Sequence, residues 1–447
     1  MSGRGFVFAV CGGEEHLRRL DQALGFLAAF SRHEVTVVTD PRRNPRPIAG
    51  ARVVEVATPA GLDDRGAAIW LKTSLPELLP GPEPRCYLDS DVLAVSPAVD
   101  GIFEFFVPPV TFASDLPTPD ADLRRFSRHA VACPCREEGE RLERFFARLD
   151  ALTALHRRHA DLAALDDPAF YRGARFAGER RRGGRWWQGV ARAEWPDGSL
   201  RFEQRFADGE PVEILYAFPG SDWRLVKRRG EARGLWRDGA GGTFRWVAQG
   251  AGGHWEDDRG DSYRTLAGAD GREEGWWFRA GEPRRRWVER PGHDHGGVWL
   301  DREGGDLGEC DHLAEALEQA FGVAIPDRRW VPWNGGVFLF ADAARELFAE
   351  WRRLAEAIRH DPRFVARDQG ALAAAVHRRA LAAHPRLPQR FNRLVDRHAR
   401  GVPALAGLLE REQTALLHLI DGGLDGVAPA LAAELVAHRA ARAAGRG

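Results

Sequence analysis

The chain has 447 residues, 44% of them apolar, and a formal net charge of −1. That length supports two or three domains with a sizeable core, and the near-zero charge excludes whole-molecule steering toward nucleic acid or an anionic membrane. Lysine occurs only at positions 72 and 227 and asparagine only at 44, 334 and 392, so arginine runs such as Arg180 to Arg182 read as compositional bias on a solvated face, and the scarce residues carry more information.

Residues 6 to 10 (FVFAV) form a β-type run closed by Gly12-Gly13, and a helical period follows from His16 to Phe30 through Leu17, Leu20, Leu24 and Leu27. A strand from Glu34 to Thr39 ends at Asp40, which makes a βαβ opening. A helix from Ala67 to Leu79 leads through Pro82 and Pro84 into a strand, Arg85 to Leu88, and directly into Asp89-Ser90-Asp91. Further strands are predicted at Val110 to Ala113 and Gly336 to Phe340. In such alternating α/β order, ligands bind outside the carboxyl ends of the strands, where Asp40, Asp89 and Asp91 lie.

The apolar run at Phe6 to Cys11 is too short for a signal peptide or a transmembrane span. The five cysteines, Cys11, Cys86, Cys133, Cys135 and Cys310, are an odd set without zinc-ribbon spacing. A reduced, cytoplasmic protein is expected. Cys133 and Cys135 with Cys310 and His312 compose a conceivable metal set, but ordinary half-buried thiols are the preferred reading. His293-Asp294-His295, flanked by glycine, reads as a hydrophilic turn.

The character changes near Tyr171. Eleven of the fifteen tryptophans fall between there and Leu300, glycine is dense, and no long helical period survives, which predicts an inserted all-β unit. Trp195, Tyr216, Trp236, Trp255, Trp276 and Trp299 recur at intervals of 19 to 23 residues, several beside Asp-Gly pairs such as Asp208-Gly209. That spacing suits one hairpin per repeat. The pattern is similar in composition to MORN-type repeats. Helix and strand patterning returns from Cys310 to about Val395, and the stretch from Val402 reads as short helices.

Two carboxylates one residue apart at a strand end can turn toward one ion, and their hard oxygens suit Mn²⁺ or Mg²⁺. Such an ion can bridge a diphosphate and stabilise it as a leaving group. An acidic turn alone explains the same residues. The surrounding sequence narrows the choice: Trp70-Leu71-Lys72 precedes Tyr87-Leu88-Asp89-Ser90-Asp91-Val92-Leu93, then come Trp333-Asn334-Gly335-Gly336-Val337, Arg367-Asp368-Gln369 and Leu387-Pro388-Gln389-Arg390-Phe391-Asn392. In type and order these segments resemble the GT-A glycosyltransferases, particularly family 8, over roughly residues 5 to 120 and 325 to 425.

The resemblance implies an α/β fold with a GT-A, Rossmann-like core, divided into residues 1–170 and 301–400 around a β-hairpin repeat insert at 171–300, with a C-terminal segment at 401–447 ending in a helical tail. It implies a metal-dependent hexosyltransferase using a nucleotide-sugar donor, with Mn²⁺ or Mg²⁺ on Asp89, Asp91 and His418. It further implies donor contacts from Lys72, Asp40, Ser90, Gly335 and Asn392, and a reacting centre faced by Asn334, Asp368 and Gln369. Family 8 retains anomeric configuration; an inverting enzyme needs a carboxylate base, for which Asp115 or Asp368 is available. The acceptor is a carbohydrate, lipid-linked group or protein, and the insert is expected to dock acceptor or partner. Neither nucleic acid nor a transmembrane segment is expected.

Two departures from the family are plain. No Lys-Pro-Trp follows His418, and Cys11-Gly12-Gly13 stands where uridine-contacting residues are usual. Three other readings compete. A haloacid-dehalogenase-like phosphatase shares Asp-x-Asp but opens its chain with it, whereas here the motif follows a complete βαβ unit. Nucleotidyl transfer needs a glycine-rich, lysine-containing first loop that this chain lacks. A non-catalytic carbohydrate- or protein-binding scaffold with a degenerate core would rest on the aromatic insert.

Overall fold

The computed structural model describes residues 4–115, 122–159, 168–180, 186–231, 233–249, 252–267, 273–289, 297–395, 409, 413–420 and 422–444. The chain is mixed α/β and divides into two compact units. Among the described residues, one comprises those up to Arg136 and from Gly308 onward, the other those from Glu137 to Leu307.

The first unit opens with β1 (Gly5–Ala9), α1 (Glu14–Phe30), β2 (Glu34–Thr39), β3 (Arg52–Glu55), α2 (Asp64–Thr73), a single turn α3 (Leu75–Leu78), β4 (Arg85–Leu88), β5 (Val92–Ala94), β6 (Val110–Ser114) and α4 (Leu123–Ala130). The long helix α5 (Pro134–Arg158) leads into twelve strands, β7 (Arg175–Arg180) to β18 (Gly297–Leu300). The first unit resumes with α6 (His312–Phe321), β19 (Trp333–Phe340), α7 (Arg345–Ala357), α8 (Arg367–Arg378), β20 (Arg393–Val395), β21 (Leu416–Leu419) and a C-terminal helix, Pro429–Ala444.

Its main sheet has the order β3-β2-β1-β4-β19-β6, with β1 to β4 parallel and β19 antiparallel to both neighbours. The period-two alternation of a strand sends successive side chains to opposite faces. Phe6, Phe8, Cys86, Leu88, Val337 and Leu339 join one buried cluster with α1, and Val7, Ala9, Tyr87, Phe338 and Phe340 join another with α2, α7 and α8. Both faces are therefore covered, as the near-continuous apolar strands require. A second, small sheet, β20-β21-β5, lies beside the end of β4.

Several predicted elements differ in detail. The helix expected from Ala67 to Leu79 breaks at Ser74, before Pro76, into α2 and α3. The segment from Leu387 to Asn392 contains a 3-10 turn, Gln389–Phe391, and a strand follows it. After β21 the described tail holds a 3-10 turn, Gly423–Gly426, and a sixteen-residue helix, Pro429–Ala444.

In the second unit, β7 to β18 form an antiparallel meander in strict chain order. The six recurring aromatics sit just after β8 or on β10, β12, β14, β16 and β18, one hairpin apart. On β16, however, Trp277 rather than Trp276 enters the core. Asp208 and Gly209 both take positive φ (52° and 79°) between β9 and β10, the backbone that a two-residue hairpin needs. Leu142, Phe145 and Leu152 of α5 pack with Phe202, Tyr216, Trp236, Phe244 and Trp277. Residues from Glu137 thus belong with this sheet, upstream of the expected boundary at 170. The apolar stripe of α5 carries no mark in sequence of which core it serves. Asp270-Gly271 and His293-Asp294-His295 lie outside the described residues.

No described helix is long and apolar enough to cross a membrane.

Candidate metal and donor site

Asp89-Ser90-Asp91 is the turn by which the chain leaves the main sheet at β4 and enters the small sheet at β5. Val92 N donates to Asp89 O at 3.0 Å, Asp89 N donates to Gly336 O on β19 at 2.8 Å, and Leu419 N on β21 donates to Asp91 O at 2.9 Å. Three strands thereby fix the turn. β21 pairs His418 with Val92, so a histidine more than three hundred residues downstream arrives beside the two carboxylates. One ligand atom from each of Asp89, Asp91 and His418 lies within 4.8 Å of the others. Their side chains are 32%, 20% and 9% exposed, respectively, so the cluster is walled in yet reachable. Ser90 is half-buried between the two acids.

His418 is oriented from behind. Asn392, wholly buried, donates from Nδ2 to Ser114 O at 2.9 Å, which turns its Oδ1 to His418 Nδ1 at 3.0 Å. A carbonyl oxygen only accepts, so Nδ1 carries the proton and donates, leaving Nε2 toward Asp91 Oδ1 at 3.4 Å. Asp91 Oδ1 is itself buried and makes no hydrogen bond. An orphaned carboxylate oxygen facing an oriented imidazole suits a divalent cation, and the supporting Asn392 resembles the outer partner that metal-bound histidines use.

Lys72, on the last turn of α2, is 6% exposed and lies 3.2 Å from Asp89 Oδ1 and 3.4 Å from Asp368 Oδ2. It rests on the rings of Tyr87 (5.3 Å) and Trp351 (5.8 Å). Tyr87, two residues before Asp89 on the same strand face, donates its hydroxyl to Asp89 Oδ1. Burial opposes the charge on Lys72, but Asp89 and Asp368 override it and hold the ammonium above its ordinary pKa. Burial likewise raises Asp89, whereas His418 overcomes burial at Asp91 and holds that carboxyl below the usual range. Burial disfavours charged His418, and Asp91 reverses this, raising it.

Asp368 is the second residue of α8, which starts at Arg367. Its backbone carbonyl accepts from Trp351 Nε1 at 2.7 Å. Gln369 Oε1 accepts from Gly335 N at 3.3 Å, tying α8 to β19. Asn334 donates from Nδ2 to Asp115 Oδ1 at 2.5 Å and accepts from Gly336 N at 2.8 Å. Here β19 slips register against β6, between Asn334 and Phe338.

Lys72, Asp89, Asp91, Asn334, Asp368, Asn392 and His418 thus form one connected cluster, with Ser90, Gly335 and Gln369 at its edges. Asp40 is otherwise engaged. Its buried carboxylate accepts from Arg42 N, Nε and Nη2 and from Thr58 N and Oγ1, and the Arg42 guanidinium, foremost, holds it far below the usual range. It is a structural anchor for the loop after β2, so donor contact by Asp40 does not fit. Sequence reasoning gave no role to Trp351 or to the Tyr87 hydroxyl, and raised Asp115 only as a base. Tyr87 was legible from its place two residues before Asp89, whereas Trp351 carries no local signal.

No family model and no curated protein matches the chain. Two solved structures of the glycosyltransferase GlyE from Streptococcus pneumoniae TIGR4, one the apo form, are similar to it at 16% identity, with TM-scores of 0.19 and 0.18. The matched region covers 25% of this chain and 29% of each GlyE chain, less than a third of either. At such TM-scores the likeness carries no argument, and the site must be read from its own geometry.

Gly336 is where that geometry is tightest. A Cβ there would stand 2.6 Å from His418 Cε1 and 2.9 Å from both Asn334 Oδ1 and Asp89 Oδ2. Gly336→Ala is expected to cost about 1–3 kcal/mol in urea unfolding and to abolish any Mn²⁺-induced rise in Tm.

Asp115 supplies a pH test. Burial raises its carboxyl to about 6, against the hydrogen bond from Asn334. Its ordinary value is 3.8, so between roughly pH 4 and 6 the native state holds the extra proton. The stabilising contribution is therefore full below pH 4 and is lost as pH rises through 6. Asp115→Asn is expected to remove a fall in unfolding free energy of up to about 3 kcal/mol over that window, measured as the difference between wild-type and variant urea midpoints at each pH.

Proposed function

We propose that this chain is a metal-dependent glycosyltransferase that moves a hexose from a nucleotide-sugar donor, on a GT-A-like core, to a carbohydrate, lipid-linked or protein acceptor in the cytoplasm. The observation that carries this reading is the convergence of Asp89, Asp91 and Asn392-oriented His418, with His418 Nε2 the near neighbour of Asp91 Oδ1. The strand order, with one antiparallel strand beside β4, and the resemblance to family 8 both support it.

In this reading Asp89, Asp91 and His418 hold Mn²⁺ or Mg²⁺, which when bound supplies charge neutralisation for the diphosphate leaving group. Lys72 offsets the acids beneath the site and adds positive potential toward the diphosphate. Gly336 leaves room for His418, Asn334 and Asp89 to converge beside β19, and Gly335 is proposed to meet the donor through its backbone. Asn334, Asp368 and Gln369 line the reacting side, held by β19 and α8, and rate comes from positioning and preorganised charge.

Retention is the proposed stereochemical outcome. Buried Asp115, with its raised carboxyl beside Asn334, favours one specific alternative, a general base for inversion. Product anomer assignment by NMR separates the two. The function itself is tested by incubating the full chain with nucleoside diphosphates and their sugars, with Mn²⁺ and with chelator. A Mn²⁺-dependent rise in Tm with at least one of them, with release of its nucleoside diphosphate, is expected. Absence of both across the common donors refutes the reading.

A further inference from the structure

A second cluster of metal-binding side chains lies in the first unit, where the polypeptide leaves and re-enters it. Cys133 immediately precedes α5 and Cys310 lies two residues before His312, the first residue of α6. The two cysteines, 177 residues apart in sequence, have sulfurs 3.9 Å from one another. One ligand atom each from Cys133, Cys310 and His312 lies within 4.8 Å of the others. Both thiols are free and buried.

The spacing discriminates between bonding modes. A disulfide needs sulfurs about 2.05 Å apart, whereas two thiolates each about 2.3 Å from a tetrahedral zinc stand about 3.8 Å apart. The observed separation matches the latter. His312 Nδ1 is buried and has no hydrogen-bond partner, an atom that gains a bond if it ligates. Both sulfurs are held in place by hydrogen bonds. Arg136 N donates to Cys133 Sγ at 3.4 Å. Cys310 Sγ donates to Ser127 Oγ at 3.3 Å, and the same oxygen accepts from Leu313 N at 2.8 Å, which fixes the position of the Cys310 sulfur.

We propose that Cys133, Cys310 and His312 bind a structural zinc ion that clasps the two chain crossings into the first unit. Each cysteine gives its thiol proton to solvent on binding, and the neutral imidazole offers a lone pair, so the site needs no redox partner. Two sulfurs and one nitrogen select a borderline-soft ion over the Mn²⁺ or Mg²⁺ suited to the aspartates. Closing a loop of this length through a metal removes chain entropy from the unfolded state.

The test is zinc content of the full chain, incubated with Zn²⁺, gel-filtered and measured by mass spectrometry. About one zinc per chain is expected in wild type, falling at least about fivefold in Cys310→Ser and His312→Ala. Wild type holding less than about a tenth of a zinc per chain, or a folded Cys310→Ser holding as much as wild type, overturns the proposal. Where the variants fail to fold, wild type loaded with Co²⁺ decides. Thiolate-to-cobalt charge-transfer absorption supports the site, and its absence overturns it.

Discussion

Asp91→Asn is expected to lower Mn²⁺-dependent donor turnover by about two to three orders of magnitude, the scale at which removal of a single charge-stabilising contact acts. Its Oδ1 is the one carboxylate oxygen of the motif that is buried without a hydrogen bond, whereas Asp89 already accepts from Tyr87 and Lys72. Asparagine keeps shape and volume but loses the charge. The expected effect on the metal-free fold is a modest loss, because Asp91 and His418 each favour the other's charged form and that pairing disappears. Tm without metal should therefore move by only a few degrees, and the Mn²⁺-induced rise in Tm should vanish. A variant that turns over donor at the wild-type rate with Mn²⁺ excludes Asp91 from the site's chemistry.

The parts of this cluster that are legible in sequence are those tied to a strand end or to a scarce residue type. Asp89 and Asp91 follow an apolar strand directly, and two of the three asparagines and one of the two lysines fall in the cluster. Periodicity locates strands and helices but says nothing of where a polar side chain spends its hydrogen bonds. That is why Asp40, well placed at the end of β2, looks available until Arg42 and Thr58 are seen to occupy it. The pairing of Asn334 with Asp115, 219 residues apart, and the approach of Cys133 to Cys310 depend on strand order, which no local pattern encodes. The helix α5 was assigned to the wrong side of a boundary for the same reason: an amphipathic stripe specifies a partner surface, not which one.

Lys72→Met tests whether the basic residue is a support of the acidic cluster as well as a donor contact. Methionine fills a similar volume against Tyr87 and Trp351, so lost packing is minor. What is lost is the only ammonium between Asp89 and Asp368. Breaking a buried ion pair from one side typically costs about 3–5 kcal/mol. With Asp89 32% exposed and Asp368 17%, solvent screens part of that, and about 2–4 kcal/mol is expected by urea unfolding at pH 7 without metal. Lys72 is also a main influence keeping Asp89 from rising further, so in the variant the Asp89 carboxyl binds a proton more readily in the folded than in the unfolded state. Its stability should therefore recover as pH falls toward 5, opposite to what loss of an apolar contact would give. Added Mn²⁺ should restore part of the deficit at pH 7 by supplying the missing positive charge, and it should do so in Lys72→Met but not in Lys72→Met combined with Asp91→Asn. A pH-independent deficit that Mn²⁺ does not touch would leave Lys72 as a packing residue alone.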